Sequence, residues 1–170
     1  MTTDIAGDAT GNRMVEHMKV KPKSVVSQKV HGVAESHCRT LLKTRDLTDV
    51  SDEPLERGGS NEGFAPTEFM LAGLVACTNV ILHRIAAKHG VEIQGMSIAV
   101  DASFDRRGVT LQEEIDVPYP EIRLSIELTT GASDDELALL KQDLRRYCPV
   151  SKVISQSGTT IIEKWAVTHP

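Results

Sequence analysis

Several residue types that would assign a function quickly are scarce in this chain. It has only three cysteines, one tryptophan, two tyrosines and three phenylalanines among its 170 residues. Cysteines at 38, 77 and 148 are too few and too far apart for a disulfide scaffold, and an odd number cannot all pair within one chain. There is no CxxC, and the six histidines form no ligand spacing with the cysteines, which argues against a zinc site. So few aromatics leave little surface for stacking on bases. Nineteen Lys plus Arg against 24 Asp plus Glu, a net charge of −5, disfavour a grip on nucleic acid phosphates. The longest apolar stretch, residues 69–82, is interrupted by Gly73, Thr78 and Asn79 and falls short of the roughly 20 residues that cross a bilayer. The amino terminus has early acidic residues and no apolar h-region, so neither a secretory signal nor a membrane association is expected. The expected location is the cytoplasm, where thiols stay reduced. A glycine-rich phosphate loop and the nucleophile elbow of a serine hydrolase are also missing.

What remains is an ordinary globular composition, 40% hydrophobic and 25% charged, with a length that suits one domain and an aliphatic core. Residues 1–18 are polar, lack hydrophobic periodicity and are expected to form a flexible tail, with a single domain over 19–170. Residues 19–50 are rich in Val, Thr and Leu and predict two or three short strands, with a break at His31-Gly32 and a polar run at 34–37. Turn formers fill 51–65.

Pro66 suits the first turn of a helix, where its missing N–H costs nothing, and Glu68 complements the positive end of the dipole. A long helix is expected from about 65–67 to Lys88, stopped by His89-Gly90. Its first half is apolar nearly all round and must be covered on most faces, by a sheet and a second helix. Strand character at 91–104, a turn at 105–108, an exposed excursion at 109–120 and alternation at 122–128 follow. Ser133 and Glu136 form a capping box for a second helix. Cys148-Pro149 ends that helix or begins a short one, and 159–167 makes a final strand. This order of elements predicts an α+β fold.

Two cysteines invite chemistry. Cys77 lies within the apolar helix, where a thiol is either a small core residue or a reactive group. Cys148 precedes Pro149 at a helix N-cap position, where backbone N–H groups and the dipole favour a thiolate. Cys38, between His37 and Arg39 in a strand pattern, is expected to be structural, because adjacent strand residues point to opposite faces.

The segment Ala65-Pro66-Thr67-Glu68-Phe69-Met70-Leu71-Ala72-Gly73-Leu74-Val75-Ala76-Cys77-Thr78 and the segment Cys148-Pro149-Val150-Ser151-Lys152-Val153-Ile154 together resemble the OsmC/Ohr family of osmotically inducible and organic hydroperoxide resistance proteins. Asp52-Glu53-Pro54 and Gly58-Gly59 resemble that family's approach to its central helix. The resemblance implies an OsmC-like fold, a long central helix packed between β-sheets in an intertwined homodimer. It also implies a thiol-dependent peroxidase reducing organic hydroperoxides. Cys77 would become a sulfenic acid, Cys148 would condense with it to a disulfide, and a dithiol reductant, lipoyl groups in some members, would restore both thiols. No metal, flavin or haem cofactor is implied.

The family also supplies an arginine for the thiolate and a glutamate that orients it. Arg39 is the best match for the arginine, with Arg45 in reserve. The family glutamate falls where this chain has Thr67, so Glu68 is the nearest carboxylate. Nine residues at about 100° each place Glu68 opposite Cys77, so it either orients Arg39 or serves the helix dipole. Spacings of three, four and seven put Gly73, Leu74, Val80, Ile81 and Arg84 near Cys77. Gly73 leaves room for a substrate or for close helix packing, and Arg84 is expected to cap the helix exit or pair with a carboxylate. Apolar surroundings favour a hydrophobic organic peroxide over hydrogen peroxide. The alternative function is a non-enzymatic OsmC-like stress-associated dimer that binds an apolar ligand.

Overall fold

A computed structural model of the chain describes residues 24–170. The tail expected over residues 1–18 and the domain start at 19 lie outside the described residues.

Two three-stranded sheets flank a long helix in the chain order. The first is an antiparallel meander of β1 (His31–Ala34), β2 (Thr40–Thr44) and β3 (Leu47–Ser51). The break expected at His31-Gly32 falls inside β1, and the chain turns instead at residues 35–38, where Ser36 Oγ accepts the N–H groups of Cys38 and Arg39. β1 is exposed along its whole length and shows no burial alternation from which a boundary could be read.

Residues 52–64 then fold back on β3. Phe64 bridges to Ser51, and its carbonyl accepts the Asp52 N–H at 3.2 Å. Gly59 and Gly63 are required by close approach: a Cβ at Gly59 would stand 1.8 Å from the Glu53 carbonyl oxygen, and one at Gly63 would stand 1.9 Å from that of Val50.

Helix α1 (Pro66–His89) begins at Pro66 as the sequence predicts and ends on Gly90, whose φ of 71° is the left-handed conformation glycine adopts without a Cβ penalty. By length and composition alone α1 could cross a membrane. In this fold its Leu74, Thr78, Leu82, Ile85 and Ala86 are buried, and it packs on α3 (Asp134–Tyr147), α4 (Pro149–Gln156) and β4 (Gly95–Ala102).

The second sheet has the order β4, β5 (Glu121–Thr129), β6 (Thr160–Thr168). β4 and β5 are antiparallel, while β5 and β6 are parallel and therefore need a crossover, which α3 and α4 provide. Alternation along β5 buries Ile122, Leu124, Ile126 and Leu128 against the helices. Between β4 and β5 the expected turn at 105–108 is instead a short helical turn, α2 (Arg106–Val109), because the Asp105 carboxylate accepts the Arg107 N–H at 3.0 Å and caps it. The Ser133–Glu136 capping box forms at the start of α3. At the other end of α1, Asp143 of α3 receives Lys88 at 3.3 Å and His89 at 3.0 Å, which fixes α1 against α3.

Candidate active site

Cys77 and Cys148 meet because of how the crossover is built. Cys77 is at the middle of α1, one position before the fully buried Thr78, on the border between the buried and open faces of the helix. α3 packs along α1 and stops at Cys148, since Pro149 cannot continue its hydrogen-bond ladder but can open α4. Cys148 is thus the C-cap of α3 and the N-cap of α4, in an extended conformation (φ −71°, ψ 109°). Its side chain has 0% exposure and sits in the core formed by Leu82, Leu140 and Leu144. The Cys148 thiol donates to Cys77 Sγ at 3.3 Å. Both are free thiols, and Cys77 is only half-buried. A disulfide bond is about 2.05 Å, so a further approach of about 1.3 Å would join them.

Electrostatics acts strongly on the buried sulfur. Burial pushes the Cys148 thiol up to about 11. The N–H groups of Ser151 and Val150 in the first turn of α4 act in the opposite direction, while the neighbouring Cys77 adds to the rise. The helix start at Cys148 therefore does favour a thiolate, as its sequence position implies, but desolvation outweighs it.

The other expected site residues are placed differently. Glu68 accepts the Ala65 N–H at 2.8 Å and caps its own helix. Arg39 does not bond to it: its guanidinium pairs with Glu35 and with Glu62, the latter at 2.9 Å. Of the two roles open to Glu68, the structure shows the helix-terminal one and not the orientation of Arg39. Among the described residues, no arginine, lysine or histidine hydrogen-bonds to either thiol of the pair. Arg45 occupies the tip of the β2–β3 hairpin with φ 54°. Arg84 is exposed and forms no ion pair among the described residues, against the expectation of a cap or carboxylate partner. Within the chain nothing lies within 4 Å of a Cβ built on Gly73, so that position is open in one protomer.

Two carboxylates have structural roles that the sequence does not reveal, Glu62 as a partner of Arg39 and Asp52 as more than part of a motif. Glu62 reaches Arg39 only because the 52–64 loop folds back, a contact with no local sequence signal. Asp52 organises that loop. It has 0% exposure, and its Oδ2 accepts the N–H groups of Ser60 at 2.9 Å and Glu62 at 3.2 Å. Burial pushes its carboxyl up, but N–H donation from Glu62, Ser60 and Glu53, with the Cys38 thiol, outweighs this and holds it below its ordinary value. Cys38 sits in the turn after β1, not in a strand, and its thiol donates to the Gly58 carbonyl at 3.3 Å. The Asp52 and Gly58-Gly59 signatures are thus one folded unit that carries Glu62 to Arg39.

Comparison with known proteins agrees with this architecture. No curated protein matches the sequence significantly. Among solved structures, an OsmC-like protein from Mycoplasma pneumoniae superposes with a TM-score of 0.72 at 18% identity, covering 85% of this chain and 99% of that one. An organic hydroperoxide resistance protein OsmC from Legionella pneumophila gives 0.62 at 18% identity, covering 86% and 99%. The organic hydroperoxide resistance protein OhrB of Bacillus subtilis gives 0.53 at 20% identity, covering 84% and 98%. At these identities the likeness is one of fold. The profile of the family described as OsmC-like protein matches residues 59–164, from the glycine pair through both cysteines to the last strand, and the chain belongs to that family.

Proposed function

We propose that this protein reduces organic hydroperoxides with the thiol pair Cys77 and Cys148. The observation that carries the reading is the 3.3 Å contact between two free thiols, one half-buried and one fully buried. The Cys77 thiolate attacks the terminal oxygen of the hydroperoxide, an S–O bond forms as the O–O bond breaks, and the departing alkoxide takes a proton from water to leave as an alcohol. Cys148 then attacks the sulfenic sulfur, the S–S bond forms, and water leaves with the Cys148 proton. A dithiol reductant, a lipoyl group being one candidate, returns both sulfurs to thiols by exchange. Such a cycle belongs in a reducing cytoplasm.

The proposed assembly is a homodimer. At 100° per residue, Phe69, Gly73, Ala76 and Val80 line one apolar strip of α1 next to Cys77, half-buried at Phe69 and Gly73 and exposed at Ala76 and Val80, the last by 46%. The first sheet exposes Val33 and Leu47. A second copy would cover both surfaces and close an apolar pocket over Cys77, which favours a hydrophobic peroxide.

The test is consumption of cumene hydroperoxide with a dithiol reductant. The wild type should turn over faster on it than on hydrogen peroxide, and Cys77→Ser should fall to background. Equal rates on both peroxides would remove the apolar-pocket argument. A second reading, a dimer that binds an apolar ligand without turnover, is favoured by the pairing of Arg39 with Glu35 and Glu62 and by its lack of a hydrogen bond to either thiol among the described residues. Under it, all three thiols survive prolonged peroxide exposure.

A further inference from the structure

We propose that Cys148, besides closing the disulfide, donates the hydrogen bond that holds the Cys77 thiolate before peroxide arrives. This inference rests on the peroxidase reading above. The contact has a direction. Water reaches Cys77 but not Cys148, so a negative charge is tolerated on Cys77 and the proton stays on Cys148. The 3.3 Å separation is within hydrogen-bonding range for sulfur, and a bond to a charged acceptor is stronger than one between neutral groups. Arg39 pairs with Glu35 and Glu62, and among the described residues the Cys148 thiol is the donor that reaches Cys77.

The arrangement reverses once Cys77 is oxidised. In the reduced pair, both the hydrogen bond to Cys77 and its charge help to keep the Cys148 proton in place. When the Cys77 sulfur becomes a neutral sulfenic acid, those two influences are gone, and the N–H groups of Ser151 and Val150 remain to favour the Cys148 thiolate against burial. Cys148 then attacks, and its proton departs with the hydroxyl of the sulfenic acid as water. One thiol thus acts first as donor and then as nucleophile.

The test separates these two roles by reading Cys77 alone. Tryptic peptide 58–84 contains Cys77 as its only cysteine, so alkylation by iodoacetamide can be followed at that site by mass spectrometry. In Cys148→Ala, alkylation of Cys77 at pH 7 should slow about tenfold, as expected for losing one hydrogen bond to a charged group. The first-turnover formation of dimedone-trapped sulfenic acid should slow to a similar degree. Cys148→Ser, whose hydroxyl can still donate, should recover part of both rates while forming no disulfide. Wild-type rates in Cys148→Ala, or a Cys148→Ser variant no better than Cys148→Ala, would overturn the proposal. If the wild type consumes no hydroperoxide, the peroxidase reading fails instead, and the alkylation rates still decide whether the hydrogen bond exists.

Discussion

Asp52 and Asp143 show how single carboxylates set the acid stability of this protein. Each is buried and accepts several donors, Asp52 from the 52–64 loop and Asp143 from His89 and Lys88. Asp143 is held below its ordinary value chiefly by His89, as Asp52 is by its backbone donors against the opposing effect of burial. A carboxyl whose folded value is depressed stabilises the fold above its unfolded value, about 3.9 for Asp, and that contribution is lost as pH falls through the lower folded value. The unfolding temperature should therefore hold between pH 7 and 5 and fall below about pH 4. In Asp52→Asn it should start lower at pH 7 and fall less steeply in acid; an equally steep acid limb by scanning calorimetry would contradict the assignment. At this scale the sequence was legible where chemistry depends on local motif. Cys77 and Cys148 stand out through Ala65-Pro66-Thr67-Glu68 and Cys148-Pro149, whereas the pairing of Arg39 with Glu62 depends on how a loop returns to a hairpin.

Elements were read most securely where a backbone rule marks their ends. Pro66 and Gly90 bound α1, and the Ser133–Glu136 box starts α3, because unpaired helix-terminal groups must be satisfied and few residues do so. Ser133→Ala should cost about 1 kcal/mol in urea unfolding. The four-residue α2 and the limits of β1 were not legible, since one is held by a single side-chain cap and the other has no buried face. The loop between β3 and α1 reads as a string of turn formers, yet it is tightly built around Asp52. Gly59→Ala, whose new carbon would clash with the Glu53 carbonyl, should destabilise the fold by about 1–3 kcal/mol. An unchanged urea midpoint would show that the loop gives way freely.

For the whole molecule, the order of strands and helices was enough to indicate an α+β fold, but sequence alone did not show that the β5–α3–α4–β6 crossover places two thiols in contact. It also could not locate the open strip of α1. Gly73 has clear space in one chain, so Gly73→Ala should favour the isolated helix by up to about 1 kcal/mol. If a second copy packs there, the same methyl group should instead shift the dimer toward monomer in sedimentation velocity. An undiminished dimer would place the interface elsewhere.

The most direct test of the account is to map the oxidised cysteines after one equivalent of tert-butyl hydroperoxide. Tryptic peptides 58–84 and 147–152 carry Cys77 and Cys148 separately from Cys38. Rapid loss of two thiols per chain is expected, recovered as a disulfide joining those two peptides, with Cys38 still reduced. Three surviving thiols, or oxidation confined to Cys38, would contradict it.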